Sequence, residues 1–328
     1  MKSSKRSSSR IALFIVVLAV LAFGLFRAVP IAAAPSHARV APAEILSRPD
    51  LKICWAEFAR NEAWGQLGSA GVTHAPRWDV TISGLVVEHP RGTVVIDIGS
   101  SSHFHDEIKD YGPYDHAWLE TLPGSSRILK SAPVALRDLG VDPENLFGII
   151  ASHAHPDHIG GAVDLPHATL LMPHEEREFS EDSETHRNVQ VIQDQAKAIH
   201  GRVHDIVFKK TPYETFDESA DIFGDGSVVV VKLFGHTPGS IGTFVNVSST
   251  LRIFHVGDAV NLSEAVDRRL TKGVVMASTD ENRSAADAAV SRITQMHQAA
   301  PNVIVLPAHD RSAWQRIFGA DPRCISSR

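Results

Sequence analysis

Four short apolar runs between residues 146 and 306 are each followed by a polar segment. They cover residues 146–151, 228–234, 251–254 and 303–306 and are rich in Val, Ile, Leu and Phe. Runs of this length and composition are typical of buried strands. A segment that carries His or Asp follows each run, so the pattern predicts four strand ends that direct polar side chains toward one common edge.

Other parts of the chain show the same alternation between strand and helix patterns. Strands are predicted at residues 80–88 and 93–98, joined by a Pro-Arg-Gly turn. Residues 174–222 are mostly polar and are predicted as helix and loop. Ser284 is expected to be the N-cap of a helix over residues 285–299.

The polar segment after the first apolar run concentrates metal-ligand side chains. His153, His155, Asp157 and His158 fall within six residues, and Gly160 and Gly161 then break the chain. His236, Asp258 and His309 follow the other three apolar runs. Imidazole and carboxylate groups together suit zinc and other borderline divalent ions. The remaining histidines are predicted to be non-ligands, with His255 facing the core and an approach of His103 and His105 to the site left open.

The motifs HAHPDH, GHTPGS, GDA and PAHD, in this order, resemble the metallo-β-lactamase-fold hydrolase superfamily over residues 83–318. The resemblance implies an α/β fold, a four-layered αβ/βα sandwich with two divalent metal ions at one edge, zinc being the expected metal. It also implies a ligand set: His153, His155 and His236 for one ion, Asp157, His158 and His309 for the other, and Asp258 for both. Asp97, in a strand that ends in Asp-x-Gly, would brace ligands by hydrogen bonds.

Hydrolysis is the chemistry that follows from such a site. Two adjacent divalent ions share a hydroxide and bring the pKa of its parent water toward neutrality, so that the hydroxide is the nucleophile. The chain has no GxSxG nucleophile motif. Asp157 or Asp258 would relay a proton to the leaving group as the general acid, and the sequence leaves open which of them does so.

Within the superfamily, the sequence is similar to the N-acyl homoserine lactonase branch, which implies that it opens a lactone or ester. Asn261 stands where that branch carries a tyrosine that contacts the substrate carbonyl. Asn261, Tyr111 and Tyr114 are the candidate substrate contacts. The alternatives are hydrolysis of an aryl ester, a phosphodiester or a β-lactam, and a non-catalytic protein that binds its ligand through the metals.

The overall charge indicates which class of binding partner is expected. The formal net charge is -6, the isoelectric point is near 6.3, and no basic stripe with interleaved aromatic residues is present. These features argue against nucleic acid and favour a small-molecule substrate. The oligomeric state is left open.

The N-terminus predicts export. A basic start precedes an apolar run at residues 11–26, and three alanines follow at 32–34. Residues 1–38 are therefore read as a signal peptide or signal anchor plus linker, and 39–328 as a single hydrolase domain. Either outcome exports the domain to the periplasm or the exterior, with membrane contact only through an anchor. A disulfide between Cys54 and Cys324 is left open.

Overall fold

The computed structural model describes residues 29–33, 39, 51–69, 77–121, 127–182 and 190–326. The apolar run at residues 11–26 lies outside these ranges. Among the helices within them, none is both long enough and apolar enough to cross a bilayer.

The first of two sheets is mixed. Its strand order is β13 (Cys324–Ser326), β1 (Lys52–Trp64), β2 (Arg77–His89), β3 (Gly92–Ile96), β5 (Leu146–Ile150), β6 (Leu170–Met172) and β7 (Val203–Asp205), and β4 (Arg127–Ile128) pairs with β1. Pairing is antiparallel from β13 to β3 and parallel from β3 to β7. The carboxyl ends of β3, β5 and β6 therefore lie at the same edge of this sheet.

The second sheet has the order β12 (Val303–Leu306), β11 (Arg252–His255), β10 (Ile241–Asn246), β9 (Val228–Lys232) and β8 (Ser219–Asp221). Strands β11 and β12 are parallel, and β10 is antiparallel to both β9 and β11. It follows that β9, β11 and β12 run in one direction and end at one edge.

Helices flank the sheets. In chain order they are α1 (Gly65–Gly68), α2 (Phe104–Ile108), α3 (Pro113–Thr121), α4 (Ala132–Asp138), α5 (Pro156–Ile159), α6 (His174–Glu181), α7 (Gln193–Ile199), α8 (Ser263–Arg268), α9 (Val274–Ala277), α10 (Arg283–Ala299) and α11 (Arg311–Phe318), with a 3₁₀ helix at Gly160–Asp164.

Strand alternation divides the core into layers. In β9, Val228 and Val230 join a buried cluster that includes residues of both sheets, whereas Val229 and Val231 join a cluster with α8 and α10. A third cluster packs the opposite face of the first sheet against α4 and α7. Because successive strand residues point to opposite faces, each sheet has one face on the other sheet and one on helices. This arrangement is the four-layered αβ/βα sandwich, so the predicted fold class is confirmed.

Two predictions of local structure are wrong. Helix α10 begins at Arg283, and its N-cap is Asn282, whose side chain accepts a hydrogen bond from the Ala285 N–H at 3.0 Å; the predicted cap, Ser284, lies inside the helix. Asn and Ser are about equally good caps, so the two positions compete on sequence grounds. Strands β7 and β8 lie in the segment predicted as helix and loop. Each has only three residues, too few for a period of two to show.

A disulfide joins Cys54 of β1 to Cys324 of β13, and the two residues stand directly opposite each other in the strand pair. The sequence left this bond open. The bond links the first and last strands of the domain and closes a loop with a sequence separation of 270 residues.

Candidate metal centre

Strand ends deliver the predicted ligands to one place. The segment from His153 to His158 follows β5 of the first sheet, and His236, Asp258 and His309 follow β9, β11 and β12 of the second. The shared direction of β9, β11 and β12 explains why residues so far apart in sequence meet. All seven predicted ligands contribute to three groups of convergent donor atoms.

The first group consists of three imidazoles. The Nδ1 atom of His155 lies 3.1 Å from Nε2 of His153 and 3.1 Å from Nε2 of His236. His236 donates its Nδ1–H to Asp280 at 2.8 Å, and His153 places its Nδ1 3.0 Å from the Ser152 hydroxyl. With the outer nitrogens engaged in this way, the Nε2 lone pairs of His153 and His236 are free and directed at a common point.

The second group combines two imidazoles and a carboxylate. The Nε2 atoms of His158 and His309 are 3.2 Å apart, and Asp157 Oδ2 lies 3.3 Å from His309 Nε2. His158 Nδ1 donates to Asp97 Oδ2 at 2.8 Å, and His309 Nδ1 donates to the Thr81 carbonyl at 2.9 Å. These outer bonds again leave both Nε2 atoms facing inward.

Asp258 lies between the two groups. Its Oδ1 is 3.1 Å from His309 Nε2 and 3.4 Å from His158 Nε2, while its Oδ2 is 3.7 Å from His236 Nε2. One carboxylate oxygen therefore faces each set of ligands, which is the position from which a carboxylate can serve two ions.

The donor set fits divalent cations. Asp258 Oδ1 is buried without a hydrogen-bond partner among the described residues. In the first group, ring nitrogens approach to hydrogen-bond distance although the outer bonds of His153 and His236 place their protons elsewhere. Lone pairs packed together without donors repel one another, and a cation between them removes that repulsion. The imidazole and carboxylate mixture is one that zinc accepts.

Burial sets the protonation of the first group. Burial and the neighbouring imidazoles lower the pKa of His153 and of His155 well below the usual value. Burial and the Lys272 ammonium lower the pKa of His236. The three rings are therefore neutral at pH 7, which is the form that binds a metal.

The carboxylates are held in their ionised form. Burial opposes ionisation of Asp157, but His158 and His309 outweigh it and lower the pKa to about 2. The pKa of Asp258 lies well below its usual value because His309 and His158 overcome the same burial cost. Burial likewise opposes protonation of His309, but the nearby carboxylates raise its pKa well above the usual value. In the metal-free protein a proton on His309 thus lies between the ionised carboxylates, and a cation that binds there would displace it.

Asp97 is the hub of the hydrogen bonds behind the second group. Its carboxylate accepts from the Ser152 N–H at 2.7 Å, the Ser152 hydroxyl at 2.8 Å and His158. It follows β3 directly and adopts a left-handed φ of 59°, uncommon for a residue with a side chain. This turn aims the carboxylate at the end of β5, where it contacts Ser152 and His158.

Sequence reasoning missed Glu176, which ties the ligand loops together. The carboxylate is completely buried and accepts hydrogen bonds from the Ala154 N–H at 2.6 Å, the Gly239 N–H at 2.8 Å and the Thr237 hydroxyl at 2.7 Å. Ala154 lies between two ligands of the first group, and Thr237 follows the third. In the sequence, Glu176 is one of several charged residues in α6, and nothing marks it as buried.

Asp280 and Lys272 were also missed. Asp280 accepts from the Lys272 ammonium at 2.5 Å as well as from His236, and both side chains are buried. They lie in loops between α8 and α10, where single charged residues carry no pattern. Their pairing fixes the ring of His236 and neutralises the buried charge.

The candidate substrate contacts lie in different surroundings. Asn261 is buried, its Nδ2 donates to the Gly68 carbonyl at 3.2 Å, and its Oδ1 has no described partner. Tyr111 is half-buried beside Phe104 and Ile108, whereas Tyr114 is 82% exposed. The described contacts bring neither tyrosine to the metal ligands, and their role stays a prediction.

The other aromatic and histidine residues lie in three kinds of place: beside the first group, at the surface and in the core. Phe179 of α6 lies 6.3 Å from His155 between ring centroids, so it borders the first group. His103 and His105 are exposed beside Asp164 and Glu120, respectively. His255 is completely buried, which confirms that it faces the core.

Comparisons with known proteins agree with this geometry. The sequence profile of the metallo-beta-lactamase superfamily matches residues 77–309. The chain belongs to this superfamily, whose members are metal-dependent and typically hold zinc. N-acyl homoserine lactonase AttM of Rhizobium radiobacter is 22% identical over 247 residues, covering 72% of this chain and 84% of its own. AttM of Azorhizobium caulinodans is 21% identical over 239 residues, with the same coverage.

Solved structures show the same fold at low identity. B. thuringiensis AiiA, in a mutant form with N-decanoyl-L-homoserine at its active site, superposes with a TM-score of 0.61 at 15% identity, covering 82% of this chain and 97% of that one. AidC, described as a dizinc quorum-quenching lactonase, gives a TM-score of 0.53 at 18% identity, with coverage of 84% and 90%. The chain is therefore a superfamily hydrolase related at low identity to lactonases.

Replacement of Glu176 by Gln is expected to weaken the first group. The carboxylate accepts three hydrogen bonds, and the NH2 group of Gln cannot accept any of them. At least one of the three donors would then lose its acceptor, which costs about 1–3 kcal/mol of stability. We expect metal affinity to fall about 10- to 100-fold, as for other residues that orient ligands. Titration against a chelator measures this, with Glu175→Gln, a change at the exposed neighbour, as the control. Equal affinity in the two variants would contradict the role.

The same residue predicts a pH dependence of stability in the metal-free protein. Burial raises the pKa of Glu176 from 4.5 to about 7. The folded state therefore holds this proton more tightly than the unfolded state, so its contribution is complete below pH 4.5 and is lost as the pH rises to 7. The loss is on the order of 3 kcal/mol. Chemical denaturation across this window is expected to show a flatter profile for Glu176→Gln than for the wild type. Parallel profiles would refute the assignment.

Proposed function

We propose that this protein is a dinuclear metal-dependent hydrolase that opens lactones or esters, with acyl homoserine lactone-like compounds as its substrates. The observation that carries the proposal is the position of Asp258, with one oxygen toward each group of ligands. The lactonases AttM and AidC support the choice of substrate class.

The chain's residues supply binding and proton transfer. A pair of divalent cations, when bound, lowers the pKa of water and polarises a carbonyl oxygen. His153, His155 and His236 would hold one cation, Asp157, His158 and His309 the other, and Asp258 both. As lowered pKa values keep Asp157 and Asp258 ionised, either can accept the proton that water loses on attack. The same carboxylate can return that proton to the leaving alkoxide as the acyl–oxygen bond breaks.

Asn261 supports a substrate that carries an amide. Its Oδ1 is a buried acceptor without a described partner, three residues beyond Asp258. An acyl homoserine lactone offers an amide N–H, which would satisfy this acceptor.

The substrate preference tests this contact. In Asn261→Leu, kcat/KM for an acyl homoserine lactone is expected to fall about tenfold, since the amide N–H loses its acceptor. For a simple γ-lactone without an amide, kcat/KM is expected to change little. Steady-state kinetics with both substrates measures the difference. An equal loss on both would remove Asn261 from amide recognition.

A panel of substrates is needed to determine which class of reaction the protein catalyses. Purified protein with measured metal content would be assayed on acyl homoserine lactones of several chain lengths, γ-lactones, aryl esters, a phosphodiester and a cephalosporin. Lactone opening that disappears in His155→Ala is the expected result. Activity confined to the other substrates would overturn the lactonase assignment. Two bound metals without turnover on any compound would favour a non-catalytic binding protein.

A further inference from the structure

The segment ahead of the hydrolase domain is packed onto it. The Ile31 N–H donates to the Arg269 carbonyl at 2.8 Å, and the Thr271 N–H donates to the Val29 carbonyl at 3.2 Å. Pro30 and Leu270 form an antiparallel bridge between these two bonds. Ile31 is half-buried against the core cluster of the second sheet and its helices. Residues 29–33 thus attach to the domain through an isolated β-bridge and two backbone hydrogen bonds.

Three large apolar side chains are exposed at this place. They are Val29 at 45%, Val274 at 55% and Val275 at 43%, which we call the valine patch. Val29 is bonded to Thr271, and Val274 is three residues beyond Thr271. Three residues of chain span at most about 11 Å, so Val274 lies within that distance of the residue that pairs with Val29.

Chain length places this patch beside the predicted leader. The apolar run at residues 11–26 ends three residues before Val29. If that run is held in a bilayer, Val29 lies within about 11 Å of its end. Because residues 29–33 are fixed to Arg269 and Thr271, the rest of the domain cannot swing away from the bilayer as it would on a flexible linker. The exposed valines then lie near the bilayer surface.

We infer that the leader is retained as a membrane anchor and that the domain rests on the bilayer through the valine patch. Cleavage after Ala34 or Ala38 would remove Ile31 from the core and both backbone bonds to Arg269 and Thr271. Retention keeps these contacts and adds a second, interfacial attachment to the anchor, and two attachments together give stable membrane association. The inference does not depend on which substrate the enzyme hydrolyses.

Intact-mass analysis of the full-length protein after expression tests whether the leader is retained. The expected mature chain keeps the whole apolar run at residues 11–26. A mature chain that lacks any part of this run would overturn the inference.

Site-specific fluorescence tests whether the valine patch contacts the bilayer. The full chain would carry Val274→Cys labelled with an environment-sensitive dye and would be reconstituted in vesicles of zwitterionic and anionic lipid. The described cysteines are joined in a disulfide, so the introduced thiol is the one that reacts. Val134→Cys is the matched control, since Val134 is 44% exposed but lies on α4, on the opposite outer layer.

The expected result is blue-shifted emission that a lipid-borne quencher reduces for the dye at position 274, and neither effect for the dye at 134. Equal emission and quenching at the two positions would contradict contact through the valine patch. A thermal unfolding curve for each labelled variant confirms that it is folded.

Discussion

Asp258→Ala is expected to reduce kcat/KM for lactone opening by roughly a thousandfold, or about 4 kcal/mol. The variant is also expected to hold fewer than two metal ions per chain. The reason is geometric, because the two oxygens of Asp258 face different groups of ligands, 3.1 Å from His309 and 3.7 Å from His236. Removing the side chain takes one ligand from each cation site and leaves the raised pKa of His309 without its main support.

Kinetics and metal analysis on the same sample measure both effects. Asp138→Ala is a suitable control because Asp138 is about half exposed at the end of α4, paired with Lys130. It should retain two metals and full activity. If Asp258→Ala keeps two ions and comparable activity, Asp258 does not bridge them.

Reduction of the Cys54–Cys324 disulfide is expected to lower the midpoint of thermal unfolding by on the order of 10 °C. The bond closes a loop with a sequence separation of 270 residues. Loss of that constraint on the unfolded chain corresponds to about 5 kcal/mol in the chain-entropy treatment, which is an upper value. Because Cys54 and Cys324 stand opposite each other in paired strands, the folded state should keep its contacts without the bond.

Calorimetry with and without a reductant measures the shift. A variant with Cys54→Ala and Cys324→Ala is the control, since the reductant should leave its midpoint unchanged. An equal response of the two proteins to the reductant would show that the effect does not come from this disulfide.

The convergence of the candidate ligands could be predicted from the sequence because each follows a strand that can be recognised locally. A mostly apolar run of four to seven residues forms each strand and ends where polar residues begin, and the turn places His153, His236, Asp258 or His309 after the strand. The shared strand direction then brings these residues together, since β9, β11 and β12 end at one edge. The fold class and the convergence of seven residues are therefore encoded in short segments.

The supporting residues could not be predicted in this way. Glu176, Asp280 and Lys272 are charged side chains in a helix or loop, and their importance comes from burial that only the assembled fold produces. Nothing in the sequence distinguishes Ser152 from other polar residues. Its hydroxyl donates to Asp97 because the left-handed φ of Asp97 turns that carboxylate toward it. The disulfide likewise depends on a pairing of the first and last strands that no local pattern announces. Long-range contacts decide all of these positions.

Crystallographic anomalous scattering at the zinc edge is the most direct measurement of the central claim. We predict two peaks in protein purified with zinc, about 3.5–4 Å apart. One should lie about 2.0–2.1 Å from His153 Nε2, His155 Nδ1 and His236 Nε2, and the other at this distance from Nε2 of His158 and His309. Asp258 should contact both. A single peak, or peaks at other residues, would contradict the dinuclear site and the mechanism that depends on it.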